Sequence, residues 1–256
     1  MSPRITLQTT GRILRQLRHD PRTIALLLVV PTVLLTLMRY IYGNEHLHVL
    51  VPGGHLVEGP RIFDTVGLTM LGVFPFVAMF LVTSVAMLRE RTTGTLERLL
   101  TTPVHKLDLL LGYGLAFALA AAVQAAVATT VAYSLLGLKT TGSQWTVAGL
   151  AIGNAVLGMA IGLFTSAFAR SEFQAVQFLP AFVLPQLLLC GLIQPRASMA
   201  TWLQKLSDVM PMTYAVDALA KAGNDPGRMW RDVAVIVGCI LVALVLGAAT
   251  LRRRTD

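Results

Sequence analysis

Lysine, histidine and cysteine are the residues of this chain best suited to nucleotide, metal or redox chemistry, and their spacing offers little of any. Lys106, Lys139, Lys205 and Lys221 never follow a glycine, and no Gly-x-x-x-x-Gly-Lys-Ser/Thr occurs. The chain therefore lacks the loop whose backbone N–H groups cradle phosphates. Any nucleotide energy must enter from another chain. His-Glu-x-x-His, Cys-x-x-Cys and Gly-x-Ser-x-Gly are also missing, and His19, His46, His48, His55 and His105 are scattered outside the apolar runs. His46, His48 and His55 share one polar loop and could ligate a metal, though chance spacing in a loop explains them more simply. Cys190 and Cys239 fall inside apolar runs and read as small apolar residues. No catalytic residue, metal ligand or cofactor of the chain's own is assigned.

Carboxylates are missing from the middle of every apolar run: Asp64 and Asp232 precede runs, and Glu172 sits in a turn. An ion-coupled carrier would need an ionisable group near mid-membrane, so that class is the weaker transport alternative. A lipid-modifying membrane enzyme would need polar residues clustered at one leaflet, which only the loop histidines offer. Neutral polar groups stand in the runs instead: Gln124, Asn154, Gln177 and Gln186. Hydrogen bonds between helices explain Gln124 and Asn154; for Gln186, substrate contact competes.

The elements that hold these residues are membrane spans. Of 256 residues 55% are hydrophobic and 13% charged, against roughly 25% charged in soluble domains. Six runs are long enough to cross a bilayer, which takes about 20 residues each: Ile24–Tyr42, Gly67–Leu88, Leu109–Leu136, Val147–Ala169, Ala175–Ile193 and Val233–Leu251. An all-α integral membrane fold with one transmembrane domain over 1–256 is expected. The first run has no Ala-x-Ala exit, so it is expected to be retained. Placing both ends inside puts Arg4, Arg12, Arg15, Arg18, Arg22, Arg89, Arg91, Arg98, Lys106, Arg170 and Arg252–Arg254 in the cytoplasm. The net charge of +8 is thus explained by membrane topology without nucleic acid.

Three segments are more than linkers. Residues 1–23 set their arginines opposite Ile13, Leu14 and Leu17, predicting an amphipathic helix lying on an anionic leaflet of membrane lipids. RERTTGTLERLLTTPV, residues 89–104, has Leu96, Leu99 and Leu100 at helical spacing and predicts a cytoplasmic helix closed by Pro103. On such a helix Glu90, Gly94 and Glu97 align beside Arg91, Thr95 and Arg98, a charged face for a soluble partner. A plain stop-transfer cluster is the simpler alternative, but it needs only arginine. The stretch Gln194–Arg231 is too apolar for a solvated loop and is divided by Pro211, predicting two half-helices within 195–222 that dip into the outer leaflet. Within the spans, Gly149-x-x-x-Gly153 and Gly158-x-x-x-Gly162 predict close helix approach, and Pro180 and Pro185 predict a bent fifth span beside a cavity.

Glu90, Arg91, Gly94, Thr95, Leu96, Glu97, Leu99 and Pro103 together resemble the Glu-Arg-x-x-Gly-Thr-Leu-Glu-x-Leu-x-x-x-Pro helix of permeases in type-two ATP-binding-cassette exporters, the daunorubicin-resistance group. The basic first helix and the proline-divided element with Pro195, Trp202, Pro211 and Tyr214 extend the resemblance over nearly the whole chain. The short Gly43–Phe63 connection departs from members with a large extracellular domain.

The resemblance implies a half-transporter of the cell membrane, paired as homodimer or heterodimer. Two copies of a separate ATPase carrying Mg-ATP would drive it. The substrate expected is amphipathic, drug-like or lipid-like. Glu90, Arg91, Gly94, Thr95, Glu97 and Arg98 would couple to the ATPase, and Pro195, Trp202, Pro211 and Tyr214 would form an outer gate. Spans two and five would line the path, with Phe76, Phe80, Phe182 and Gln186 as its candidate residues.

Overall fold

The computed structural model describes residues 3–43, 45–50, 56–95, 106–224 and 229–250. Helix α1 (Pro3–Arg18) leads into α2 (Pro21–Tyr42), followed by a hairpin of β1 (His46–Leu50) and β2 (Leu56–Arg61). Helices α3 (Ile62–Thr92), α4 (Lys106–Ser134), α5 (Gln144–Thr165) and α6 (Glu172–Leu189) come next. A 3-10 turn (Arg196–Ser198), α7 (Thr201–Ser207), α8 (Pro211–Asn224) and α9 (Trp230–Thr250) follow. Apart from the antiparallel hairpin, in which His46 faces Arg61, the regular structure among the described residues is helical.

Among the described residues six helices are long and apolar enough to cross a membrane: α2, α3, Leu111–Ser134 of α4, α5, α6 and α9. They match the expected runs to within a few residues. Helix α3, at 31 residues, rises roughly 45 Å and so outruns a hydrocarbon core of about 30 Å. Its last turns carry Arg89, Glu90 and Arg91 beyond the apolar stretch.

Helix α5 is the hub, packed against α3, α4 and α9. Gly158 and Gly162 let it run parallel to α3: a Cβ would stand 2.2 Å from the Phe76 carbonyl oxygen at the first and 2.6 Å from that of Phe80 at the second. The other pair, Gly149 and Gly153, meets nothing within 4 Å. One small-residue motif is therefore used inside the chain, and the other lies open.

Two ends of the bundle differ in chemistry. At the hairpin end, Arg61 donates to Asp64 at 2.9 and 2.8 Å and to the Gly137 carbonyl at 2.6 Å, while the Lys139 N–H donates to Asp64 at 2.9 Å. The loop before α5 closes α8: the N–H groups of Thr141 and Gly142 both donate to the Gly223 carbonyl at 3.0 Å, satisfying a carbonyl that a helix end leaves orphaned. The opposite end carries α1 and the exposed Arg4, Arg15, Arg18 and Arg22.

Two expectations change here. Helix α1, expected to lie on the leaflet through Ile13, Leu14 and Leu17, buries Ile13 in the bundle and docks a threonine edge on α4. The Thr10 hydroxyl donates to the Gly112 carbonyl at 3.2 Å, and a Cβ on Gly112 would stand 2.6 Å from that of Thr9. Residues 89–104 do not form one helix either. Glu90 and Arg91 end α3, and Gly94 turns the chain at φ +71, a conformation natural to glycine. Glu90 and Gly94 therefore do not share a continuous helical face. Residues 96–105, with Glu97 and Arg98, lie outside the described residues.

Candidate functional site

Helix α6 departs most from a plain membrane span. Ser171 caps it by accepting from the Gln174 N–H at 3.2 Å. Pro180 and Pro185 then remove two N–H groups, freeing the carbonyls of Val176 and Ala181. Phe173, Gln177, Pro180, Leu184 and Leu188 form one exposed stripe at helical spacing. Gln177 in particular presents its amide outward from a helix of spanning length.

A groove of about 610 Å³ runs between α6 and α9, floored by α5 and lined by Phe164, Phe182, Pro185, Gln186, Val242 and Leu246 among others. Phe182 and Gln186 thus share one wall. Phe76 and Phe80 do not reach it: both are wholly buried, on the α3 segment that packs against Gly158 and Gly162. Gln186 is itself occupied. Its Nε2 donates to the Phe182 carbonyl at 2.8 Å, and its Oε1 accepts from the Met212 N–H at 3.3 Å. It therefore caps the first turn of α8, whose first residue is Pro211.

The four residues expected at a gate are spread over this α6–α8 junction. Pro195 opens the 3-10 turn, Trp202 is 68% exposed on α7, and the Tyr214 hydroxyl donates to the Asp208 carbonyl at 2.7 Å. Beneath them Asn154 donates to the Ala215 carbonyl at 3.3 Å, tying α8 to the hub helix.

At the arginine end, the α3 terminus is clamped from two sides. Arg89 grips Glu172 through paired bonds of 2.7 and 3.0 Å, joining the end of α3 to the start of α6. Arg12 donates to the Tyr113 hydroxyl at 2.6 Å and lies 3.5 Å from the Glu90 carboxylate. Glu90 is buried in that cluster and faces α1 and α4 rather than solvent. Arg91 is half-buried, and its Nε has no hydrogen-bond partner among the described residues. The hydroxyls of Thr93 and Thr95 meet at 3.0 Å just beyond. Nearby, Asp20 caps α2; its carboxyl is held below the usual carboxylate range by the Thr23 hydroxyl first, then by the Thr23 N–H. Displacement of the α3 terminus would thus be carried to α1, α4 and α6 together.

Arg12, Tyr113 and Glu172 were not singled out from the sequence. They lie 101 and 83 positions from their partners, and no local spacing announces such pairs. Among the described residues no three metal-ligating side chains gather. Of the loop histidines, His46 sets Nδ1 3.1 Å from the Gly59 carbonyl.

The profile of the family described as ABC-2 type transporter matches residues 6–222. The probable multidrug ABC transporter permease YbhS of Escherichia coli (strain K12) is 25% identical over 213 residues, 82% of this chain and 52% of that protein. Its counterpart YbhR is 27% identical over 158 residues, 58% of this chain and 40% of that protein. ABC transporter G family member 20 of Dictyostelium discoideum is 23% identical over 199 residues, 76% of this chain and 27% of that protein. At most about half the length of these relatives is therefore spanned.

Proposed function

This chain belongs to the ABC-2 type transporter family, as a membrane component, and we propose that it is the permease half of an ATP-driven exporter. It moves an amphipathic, lipid-like or drug-like molecule outward across the cytoplasmic membrane, driven by two copies of a separate ATPase that holds Mg-ATP. A second permease, identical or homologous, completes the path.

The observation that carries this is the exposed face of α6. Gln177 and two helix prolines stand on a surface that the chain itself leaves uncovered. Unsatisfied polar groups in hydrocarbon cost several kcal/mol each, and freed backbone groups are tolerated only against protein or a wet cavity. A second copy facing α6 across a water-accessible path meets both needs. The Val237, Leu241 and Val245 face of α9, by contrast, meets lipid.

The arginine end lies in the cytoplasm, in keeping with the positive-inside rule. The ATPase engages Arg91, Gly94 and Thr95 together with Glu97 and Arg98, while Glu90 holds the α3 terminus to α1 and α4. Its closure moves the α3 terminus as a rigid body, and the Arg89–Glu172 pair passes that movement to α6. The groove beside Phe182 is apolar enough to take the hydrocarbon part of the substrate.

Co-purification with a co-expressed ABC ATPase tests this. Expected are a stable complex, hydrolysis stimulated by substrate, and a disulfide between permeases through Gln177→Cys. Failure of the ATPase to associate, or cross-linking through Val237→Cys on α9 instead, would overturn it.

A further inference from the structure

A second cavity, of about 440 Å³, lies at the hairpin end between the start of α3, the turn after α6 and the middle of α8. The α6–α9 groove is apolar; this wall carries Thr65 and Thr69 from α3, Arg196 from the turn and Asp217 from α8. The chain bends sharply to form it, with Gly191 at φ +91 against the Arg196 stem.

The charges around the cavity are unevenly compensated. Arg196 donates to Asp208 through Nη2 and reaches Asp217 through Nη1 at 3.4 Å. Lys221 is committed to Asp232 at 2.5 Å. Among the described residues Arg196 and Lys221 thus face Asp208, Asp217 and Asp232, and Asp217 on the cavity wall has the longest of these ion-pair contacts. Thr65 and Thr69 add oxygens able to accept from a ligand donor. Burial raises the Asp217 carboxyl above the ordinary aspartate range despite the pull of Lys221 and Arg196, with Asp232 adding to the rise.

We propose that this cavity binds an organic cation, an ammonium group or similar headgroup, with Asp217 as the recognising carboxylate. It goes beyond the export reading by naming the sign of charge, and rests on that reading only for the side from which the ligand arrives. The opposing feature is Arg196 Nε, buried without a hydrogen-bond partner among the described residues, which would favour an anion.

A native thiol reports on the choice. Cys190 lines this cavity, whereas Cys239 lines the other groove, so the full-length Cys239→Ala chain in proteoliposomes carries one informative cysteine. Its modification by cationic and anionic methanethiosulfonate reagents of matched size is timed, each rate divided by that for a free thiol. Because Cys190 is buried, Leu192→Cys, on the same wall and half-exposed, is measured in parallel without native cysteines. The expected normalised ratio favours the cation about tenfold, as one partly screened charge at close range would. It falls toward one in Asp217→Asn, and also as pH is lowered through the raised titration range of Asp217. Parity, an anion preference, a ratio untouched by Asp217→Asn, or no modification at either position would overturn the proposal. Loss of ATPase association with the ratio intact would instead overturn the export reading alone.

Discussion

Helices α6 and α9 leave nearly the same share of their apolar windows uncovered, with 22% and 17% buried inside the chain. Their surfaces could hardly differ more. Helix α9 has mean hydropathy 2.8 and turns Val237, Leu241 and Val245 outward, apart from the Val242 and Leu246 that line the groove. Helix α6 has mean hydropathy 1.2 and exposes Gln177, Pro180 and Pro185. Exposure in a lone membrane chain therefore does not identify the neighbour; the chemistry of the exposed face does. On the proposed reading lipid covers α9, and a second permease across a wet path covers α6.

Charge placed on the two faces should separate them most. Leu241→Lys, at the middle of α9, is expected to cost about 3 kcal/mol and to deplete folded protein from the membrane. Leu184→Lys, on the Gln177 stripe, should cost less than a third of that and abolish transport instead. Thermal unfolding in nanodiscs compares them, and equal costs would break the contrast.

The shared floor of both helices gives the next effect. Gly158→Ala drives a Cβ into the Phe76 carbonyl and is expected to destabilise by about 1–3 kcal/mol. Gly149→Ala, with open space around it, should leave the isolated chain unchanged. If Gly149→Ala nevertheless weakens permease pairing, the open glycine pair belongs to the same interface as α6.

The sequence made the six spans and the α7–α8 element legible because each is encoded locally, by hydropathy, proline or length. Phe76 and Phe80, offered for the path wall only as residues of span two, are wholly buried instead, and their carbonyls are what the α5 glycines approach. Gln186 was read as a group for substrate or a neighbouring helix, and its amide is spent capping α8. Glu90 looked like part of an outward docking face, whereas Arg12 and Tyr113, brought together only by the fold, draw it inward. The hairpin, too, was hidden in a short polar connection.

Smaller effects probe how α6 is driven. Arg89→Ala breaks an ion pair whose partners are 55% and 53% exposed, so its cost to stability should stay below about 1 kcal/mol. Its cost to coupling should be much larger, read as ATP hydrolysis no longer stimulated by substrate, with Arg89→Lys restoring part of it. Gln177→Leu should weaken permease association by about 0.6 kcal/mol, the typical worth of one interhelical hydrogen bond. Val237→Leu should leave it unaltered.

The most direct measurement places a nitroxide at Gln177→Cys or at Val237→Cys, in an otherwise cysteine-free permease reconstituted with its ATPase in nanodiscs. Relaxation by a water-soluble nickel complex and by oxygen then reports what surrounds each label. Position 177 should be reached by the nickel complex and lie close to a label on the second permease, while position 237 responds to oxygen alone. Equal, oxygen-only responses at both positions would contradict the assignment of α6 to the path.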